Sequence, residues 1–157
     1  MPNFNGVWSL TTQLQYNTDW PIVDRTIALF GGGDENKNVI DTVSFVAAAN
    51  ATDFGDLTVA RGYHASVASS TRGVWGGGSG SSRSNVIDYV TIASAGNAQD
   101  FGDLLSVNSS LTALSNNTRG VFIGGYNGSA DQNVLQYITI ASTGNAQDFG
   151  DAQAAHN

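Results

Sequence analysis

The chain has 157 residues, no cysteine, a formal net charge of −7 and a pI near 4.3. This length can bury a substantial core, and the lack of cysteine excludes disulfides and thiolate zinc sites. One lysine and five arginines argue against nucleic acid as a partner, because phosphate binding needs clustered basic side chains.

The first segment, residues 1–24, does not match the rest of the chain. It has no basic region followed by an apolar run, so we predict no signal peptide. No stretch of the chain approaches the roughly 20 apolar residues of a membrane helix, so we expect no membrane insertion. The apolar side chains available here for docking onto another protein are Trp8, Leu10, Tyr16 and Trp20. The alternative is that this segment supplies the first strand of the following unit.

The remainder, residues 25–157, is repetitive. The phrase Asp-Phe-Gly-Asp occurs three times, at 53–56, 100–103 and 148–151, so its copies lie 47 and 48 residues apart. A motif that recurs at this period marks one supersecondary unit packed on copies of itself. The predicted units are 25–70, 71–117 and 118–157.

The second unit predicts four short strands. They are Tyr63 to Ser69, Arg72 to Gly76, Asn85 to Ala93, and a fourth from about Asp100 through Leu105. The third of these carries bulky apolar residues on both faces of the pleat, so both faces must be covered. No apolar spacing of three and four residues is sustained, which predicts very little helix. Four-stranded units stacked face to face indicate an all-β fold of β-propeller-type blades, with the Phe of each repeated phrase between adjacent blades.

These units resemble kelch repeats over about residues 25–151. The resemblance rests on an apolar strand that ends in two glycines, Val74-Trp75-Gly76-Gly77, then on Tyr89, Phe101 and the preceding segment Arg61-Gly62-Tyr63-His64-Ala65. The chain departs from the family in two places. Phe101 stands where the family has tryptophan, and Ser106-Val107-Asn108 replaces the arginine position in the next unit.

The amino-acid sequences of the second and third units also resemble repeat arrays in structural proteins of marine tailed phages, cyanophages in particular. That resemblance implies a non-enzymatic virion protein with other virion proteins as partners, attached to the capsid or tail through residues 1–24 and exposing its β-repeats to solvent.

The alternative function is a carbohydrate- or receptor-binding module of a tail fibre or spike. It would bind a host surface glycan through polar loops at 33–37, 77–84 and 125–132, because loops on a repeated scaffold commonly carry binding. The candidate contact residues are Arg83, Tyr126, Asn127 and Asp131.

Three blades are too few for the propeller that they resemble, which closes with about six or seven. If each open face left about 500 Å² of apolar surface in water, it would lose about 12 kcal/mol, comparable to the net stability of a domain. We therefore expect a homo-oligomer, since two copies would supply six blades. The alternative folds are a β-trefoil, which closes three four-stranded repeats within one chain of this length, and a trimeric β-prism.

No catalytic or cofactor site is predicted. The Asp-Phe-Gly tripeptide imitates a kinase metal site, but it occurs in triplicate and no phosphate-binding loop with a following lysine accompanies it. Only His64 and His156 could act as bases near neutral pH, and neither belongs to a readable triad. Carboxylate pairs such as Asp100 and Asp103 suit the capping of turns better than calcium binding.

Overall fold

The computed structural model describes residues 26–33 and 37–156. Within these ranges the protein is all-β, with eleven strands, no helix and three antiparallel sheets, none of which is closed. The strands are β1 (Ile27–Gly31), β2 (Val39–Ser44), β3 (Thr52–Asp56), β4 (Ala65–Ala68), β5 (Arg72–Gly76), β6 (Val86–Thr91), β7 (Gln99–Asp103), β8 (Thr112–Ser115), β9 (Arg119–Ile123), β10 (Gln132–Thr139) and β11 (Gln147–His156).

Each sheet is a meander in which every strand pairs with its neighbour along the chain. The first sheet is β1-β2-β3, the second is β4-β5-β6-β7 and the third is β8-β9-β10-β11. The predicted strands of the second unit and the low helix content are confirmed. The second sheet begins with β4, however, one strand before residue 71, where the sequence unit begins.

Strand β6, the third strand of the second sheet, is covered on both faces, as its sequence predicts. On β6, Ile87 packs in a cluster between the second and third sheets, whereas Val90 packs in a cluster between the first and second. Because successive residues point to opposite faces, one strand contributes to both clusters. The sheets are therefore stacked, with one apolar cluster at each of the two junctions between the described sheets.

An aromatic side chain at each junction lies over a glycine of the preceding sheet. A Cβ placed on Gly31 would lie 2.9 Å from Cε2 of Trp75, and one placed on Gly76 would lie 2.7 Å from Cε1 of Phe122. Trp75 is 3% exposed and Phe122 is fully buried. The absence of a side chain at these glycines thus creates the space that the aromatic rings fill.

The repeated Asp-Phe-Gly-Asp phrase forms a β-bulge. In the second sheet, Gly102 pairs with Ile87 and Asp100 pairs with Asp88, which leaves Phe101 without a partner residue in the ladder. The same register shift occurs in the first and third sheets. An extra residue of this kind bends the strand and re-aims its side chain, and Phe101, 2% exposed, is turned into the junction.

We predict that Gly102→Val lowers the free energy of unfolding by about 2–4 kcal/mol more than Gly150→Val does. Both glycines have positive φ, 145° and 127°, so the backbone strain is similar. A Cβ on Gly102 would lie 2.6 Å from backbone atoms of Gly144, whereas one on Gly150 meets nothing within 4 Å. Urea unfolding of the two variants at low protein concentration measures the difference. Equal losses would contradict the tight junction.

Candidate functional site

The structure brings together three of the four residues predicted for ligand contact, Arg83, Tyr126 and Asp131. The guanidinium of Arg83 lies 4.7 Å from the ring centroid of Tyr126. The Tyr126 hydroxyl donates to Gly128 O at 3.0 Å, and Asn127 Oδ1 accepts from two backbone amides of its own loop. Asp131 pairs with Tyr126 in an isolated β-bridge. Loops 77–84 and 125–132 are therefore neighbours. The contacts of Tyr126 and Asn127, however, stabilise the loop itself and leave these polar groups already bonded.

The predicted docking residues Trp8, Leu10, Tyr16 and Trp20 lie outside the described residues, as does the whole segment 1–24. Residues 34–36, within the predicted loop 33–37, also lie outside them.

A buried ion pair fastens the first junction. Arg61 Nη1 lies 2.8 Å from Asp88 Oδ2, and both side chains are fully buried. Arg61 lies in the segment that leads from the first sheet to the second, whereas Asp88 is on β6. The backbone amide and hydroxyl of Thr58 also donate to the Asp88 carboxylate. The carboxylate therefore holds the connecting segment at two points.

The second junction has neutral amides at the two equivalent positions, and each amide bonds to backbone. Gln136, at the position of Asp88 in the next sheet, accepts a hydrogen bond from the Leu105 amide at 2.8 Å through Oε1. Asn108, at the position of Arg61, donates to Gly124 O at 2.6 Å through Nδ2. Both amides are 2% exposed. The kelch resemblance includes Arg61, but the sequence does not indicate the ion pair, because Asp88 lies 27 residues further along the chain, on β6.

We predict that the ion pair can be replaced by the amides of the second junction. Asp88→Gln or Arg61→Asn alone leaves one buried charge unpaired and should cost about 3–5 kcal/mol. The double variant removes both charges and should recover most of that loss. Urea unfolding of the wild type, the two single variants and the double variant gives the coupling free energy. If the double variant lost the sum of the two single losses, the coupling between Arg61 and Asp88 would be contradicted.

His64 is held beside this ion pair. Its Nε2 donates to Gly31 O at 2.8 Å, whereas the buried Nδ1 has no hydrogen-bond partner. Burial, with the neighbouring Arg61 guanidinium, lowers the pKa of His64 below its ordinary 6.5; the hydrogen bond to Gly31 and the Asp88 carboxylate act in the opposite direction. A neutral imidazole that bridges two sheets is a structural group here.

The lowered pKa predicts a loss of stability at acidic pH. Below pH 6.5 the unfolded chain binds a proton at His64 that the folded chain resists, so this contribution to stability is complete above pH 6.5 and is lost as the pH falls through the folded-state pKa. His64→Leu, which copies Leu111 of the next unit, should flatten the decline in unfolding free energy from about pH 7 to pH 5. Urea unfolding across this range compares the two chains; parallel declines would contradict the assignment.

In the second and third sheets, the turn before the last strand covers the edge of the preceding sheet. Gly96 N donates to Phe54 O and Ala98 N to Asp56 O, both at 2.7 Å. In addition, Asn97 Oδ1 accepts from Asp56 N at 3.1 Å. The repeated segment therefore makes hydrogen bonds to both neighbouring sheets. The backbone of its Phe-Gly-Asp part accepts hydrogen bonds from the turn of the following sheet, and the Gly-Asn-Ala turn that precedes it donates hydrogen bonds to the preceding sheet. We call these three hydrogen bonds the edge latch.

The second junction has the same latch. Gly144 N donates to Phe101 O at 2.7 Å, Ala146 N donates to Asp103 O at 2.8 Å, and Asn145 Oδ1 accepts from Asp103 N at 3.0 Å. Within residues 26–33 and 37–156, the expected turn capping by an Asp of the repeated motif is seen at Asp148, whose Oδ1 accepts from Gly150 N at 3.1 Å. Asparagine side chains cap the edge instead.

Among residues 26–33 and 37–156, nothing packs against the outer side of the first sheet or of the third, and each of these sides carries exposed phenylalanines at positions that are buried at the junctions. Phe149 of the third repeated phrase is 51% exposed, whereas Phe54 and Phe101 are 6% and 2% exposed. On the opposite side, Phe30 and Phe45 of the first sheet are 62% and 73% exposed. We call the side that carries Phe149 the rear face and the side that carries Phe30 and Phe45 the front face. The expectation that the Phe of the phrase is buried between sheets is thus confirmed for two copies and not for the third.

Within the described ranges, no three His, Cys, Asp or Glu side chains come close enough to hold a metal ion together. No helix in those ranges is long and apolar enough to cross a membrane. The chain matches no protein-family model and no curated protein.

Proposed function

We propose that this chain is a non-enzymatic structural protein of a tailed-phage virion, attached to the capsid or tail and carrying three kelch-like propeller blades. The observation that carries the proposal is the exposure, among the described residues, of apolar side chains on both outer faces, above all Phe149 and Phe45. A stack that leaves junction residues unused on both sides is suited to assembly with other proteins.

The arrangement of the sheets supports blades over a β-trefoil. Each sheet is built from consecutive strands of the chain, and each stacks on the next through its faces. A trefoil would instead combine strands from different repeats in one barrel. The resemblance of the repeat sequences to phage structural proteins supports the virion assignment. Attachment would use the segment that contains Trp8 and Trp20.

The repeated residues support a structural role because they are used in the architecture. Phe54 and Phe101 fill the junctions, and the backbone groups beside them form the edge latches. The charged residues Arg61 and Asp88 neutralise each other in the interior.

The second candidate function is host adhesion through the rim formed by loops 77–84 and 125–132. The proximity of the Arg83 guanidinium to the Tyr126 ring favours it, because a cation and an aromatic ring share one rim. We rank it second because Tyr126 and Asn127 are engaged in bonds within their own loop.

Antibody against the purified chain should label purified particles of its source in electron microscopy, and an excess of the free chain should leave adsorption of those particles to host cells unchanged. Particles without label would contradict the virion assignment. Labelled particles whose adsorption is blocked by the free chain, but not by a Tyr126→Ala variant, would establish adhesion in place of the purely structural role.

A further inference from the structure

We infer that the rear face of one copy binds the front face of a second copy, head to tail, through the same edge latch that joins the sheets within the chain. The proposal goes beyond the virion assignment and does not depend on it. The binding partner is a second copy of this chain.

The two latches within the chain are the template. In each, two backbone amides of a turn donate to carbonyls of the preceding outer strand, and the turn's asparagine accepts from that strand. The corresponding distances in the two latches differ by no more than 0.1 Å. A glycine in the outer strand is required for this approach, because a Cβ on Gly55 or Gly102 would lie 2.3 or 2.6 Å from backbone of the turn.

The rear face presents the receiving half of a third latch. Strand β11 pairs with β10 in the register that β7 has with β6, with Asp151 opposite Val134, Gly150 opposite Leu135 and the same bulge at Phe149. A Cβ on Gly150 meets nothing within 4 Å, so the space that the turn would fill is open. An outer edge that remains uncovered in this way is a template for pairing with another chain.

Arg119 adds a directed contact on the rear face. It lies 4.5 Å from the ring of Tyr137, as Arg72 lies 4.5 Å from the ring of Tyr89 in the second sheet. Arg72 reaches across the second junction and donates to Ile140 O at 2.9 Å. In the same geometry, Arg119 would donate to the carbonyl of a second copy's Phe45, which stands at the position of Ile140.

The front face presents the donating half. Residues 49–51, Ala-Asn-Ala, stand where the second and third sheets have Gly-Asn-Ala, and they are exposed. Ala98 and Ala146, the alanines of the two formed latches, are 9% and 5% exposed. Phe45 is 73% exposed, whereas Ile140 at the same position is fully buried at the second junction. Asn50 therefore retains the side chain that a latch needs.

The rear face also differs from the two formed junctions. Ile123 stands where the preceding sheets have Gly31 and Gly76, and Ala152 stands where they have the buried Leu57 and Leu104. An aromatic ring of the second copy therefore meets Ile123 instead of an open glycine site. The aromatic ring must therefore lie farther from this position than Trp75 and Phe122 do at the junctions, so we expect the inner part of the contact between copies to be weaker than a junction within the chain.

The test is sedimentation of the full chain over a concentration series up to about 1 mM. A dissociation constant above about 1 mM would be too weak to support the proposed contact. We expect the wild type to associate and the Phe149→Glu variant to remain monomeric with its fold intact. Leu105→Glu is the matched control, because Leu105 is 52% exposed in the middle of the stack, against 51% for Phe149. It should associate like the wild type. Gly150→Val provides a second variant that blocks the approach of the turn.

A mixing experiment separates the head-to-tail contact from a symmetric one. Phe45→Glu should also be monomeric, but an equimolar mixture with Phe149→Glu should associate, since one intact front face then meets one intact rear face. A rear-to-rear contact predicts instead that Phe45→Glu associates alone and that mixing restores nothing.

A monomeric wild type up to about 1 mM would overturn the proposal, as would association that survives both Phe149→Glu and Gly150→Val. Association without antibody label on particles would contradict the virion assignment alone. The two proposals can therefore fail separately.

Discussion

The stack depends on a phenylalanine placed between sheets by a β-bulge. Phe54 and Phe101 are the extra residues of their bulges, and each is almost fully buried at a junction. Without the bulge, strict alternation along the strand would set the side-chain directions differently, and the backbone beside the ring would not present its carbonyls to the next turn. One local irregularity thus supplies both the apolar contact and the edge latch.

The two junctions solve the same problem with different chemistry. Arg61 and Asp88 hold the first as a buried ion pair, whereas Asn108 and Gln136 hold the second as neutral amides. Burying charges costs desolvation that the pair must offset, so the ion pair is not by itself the stronger solution. What the junctions share is the satisfaction of backbone groups in the connecting segment, which would be costly to bury unpaired.

The same contacts explain why apolar residues are exposed on the two outer faces of the stack. A sheet that is apolar on both faces needs a neighbour on each side, and the first and third sheets have only one among the described residues. In the proposed contact between copies, the edge of β11 and the turn at Asn50, both uncovered among the described residues, correspond to the two halves of the edge latch. A chain with a net charge of −7 repels its own copies at long range, so the proposed association would rest on these short-range contacts.

The sequence alone determined the repeat, the strands of the second unit and the near absence of helix, because period, alternation and turn residues are local signals. It also determined that Phe101 faces a neighbouring sheet. The tertiary structure decided what locality cannot encode: the pairing of Arg61 with Asp88, the proton affinity of His64 and the exposure of Phe149. Phe101 and Phe149 sit in the same four-residue phrase, yet one is buried and the other is open to solvent. Their difference arises only from whether another sheet packs against them.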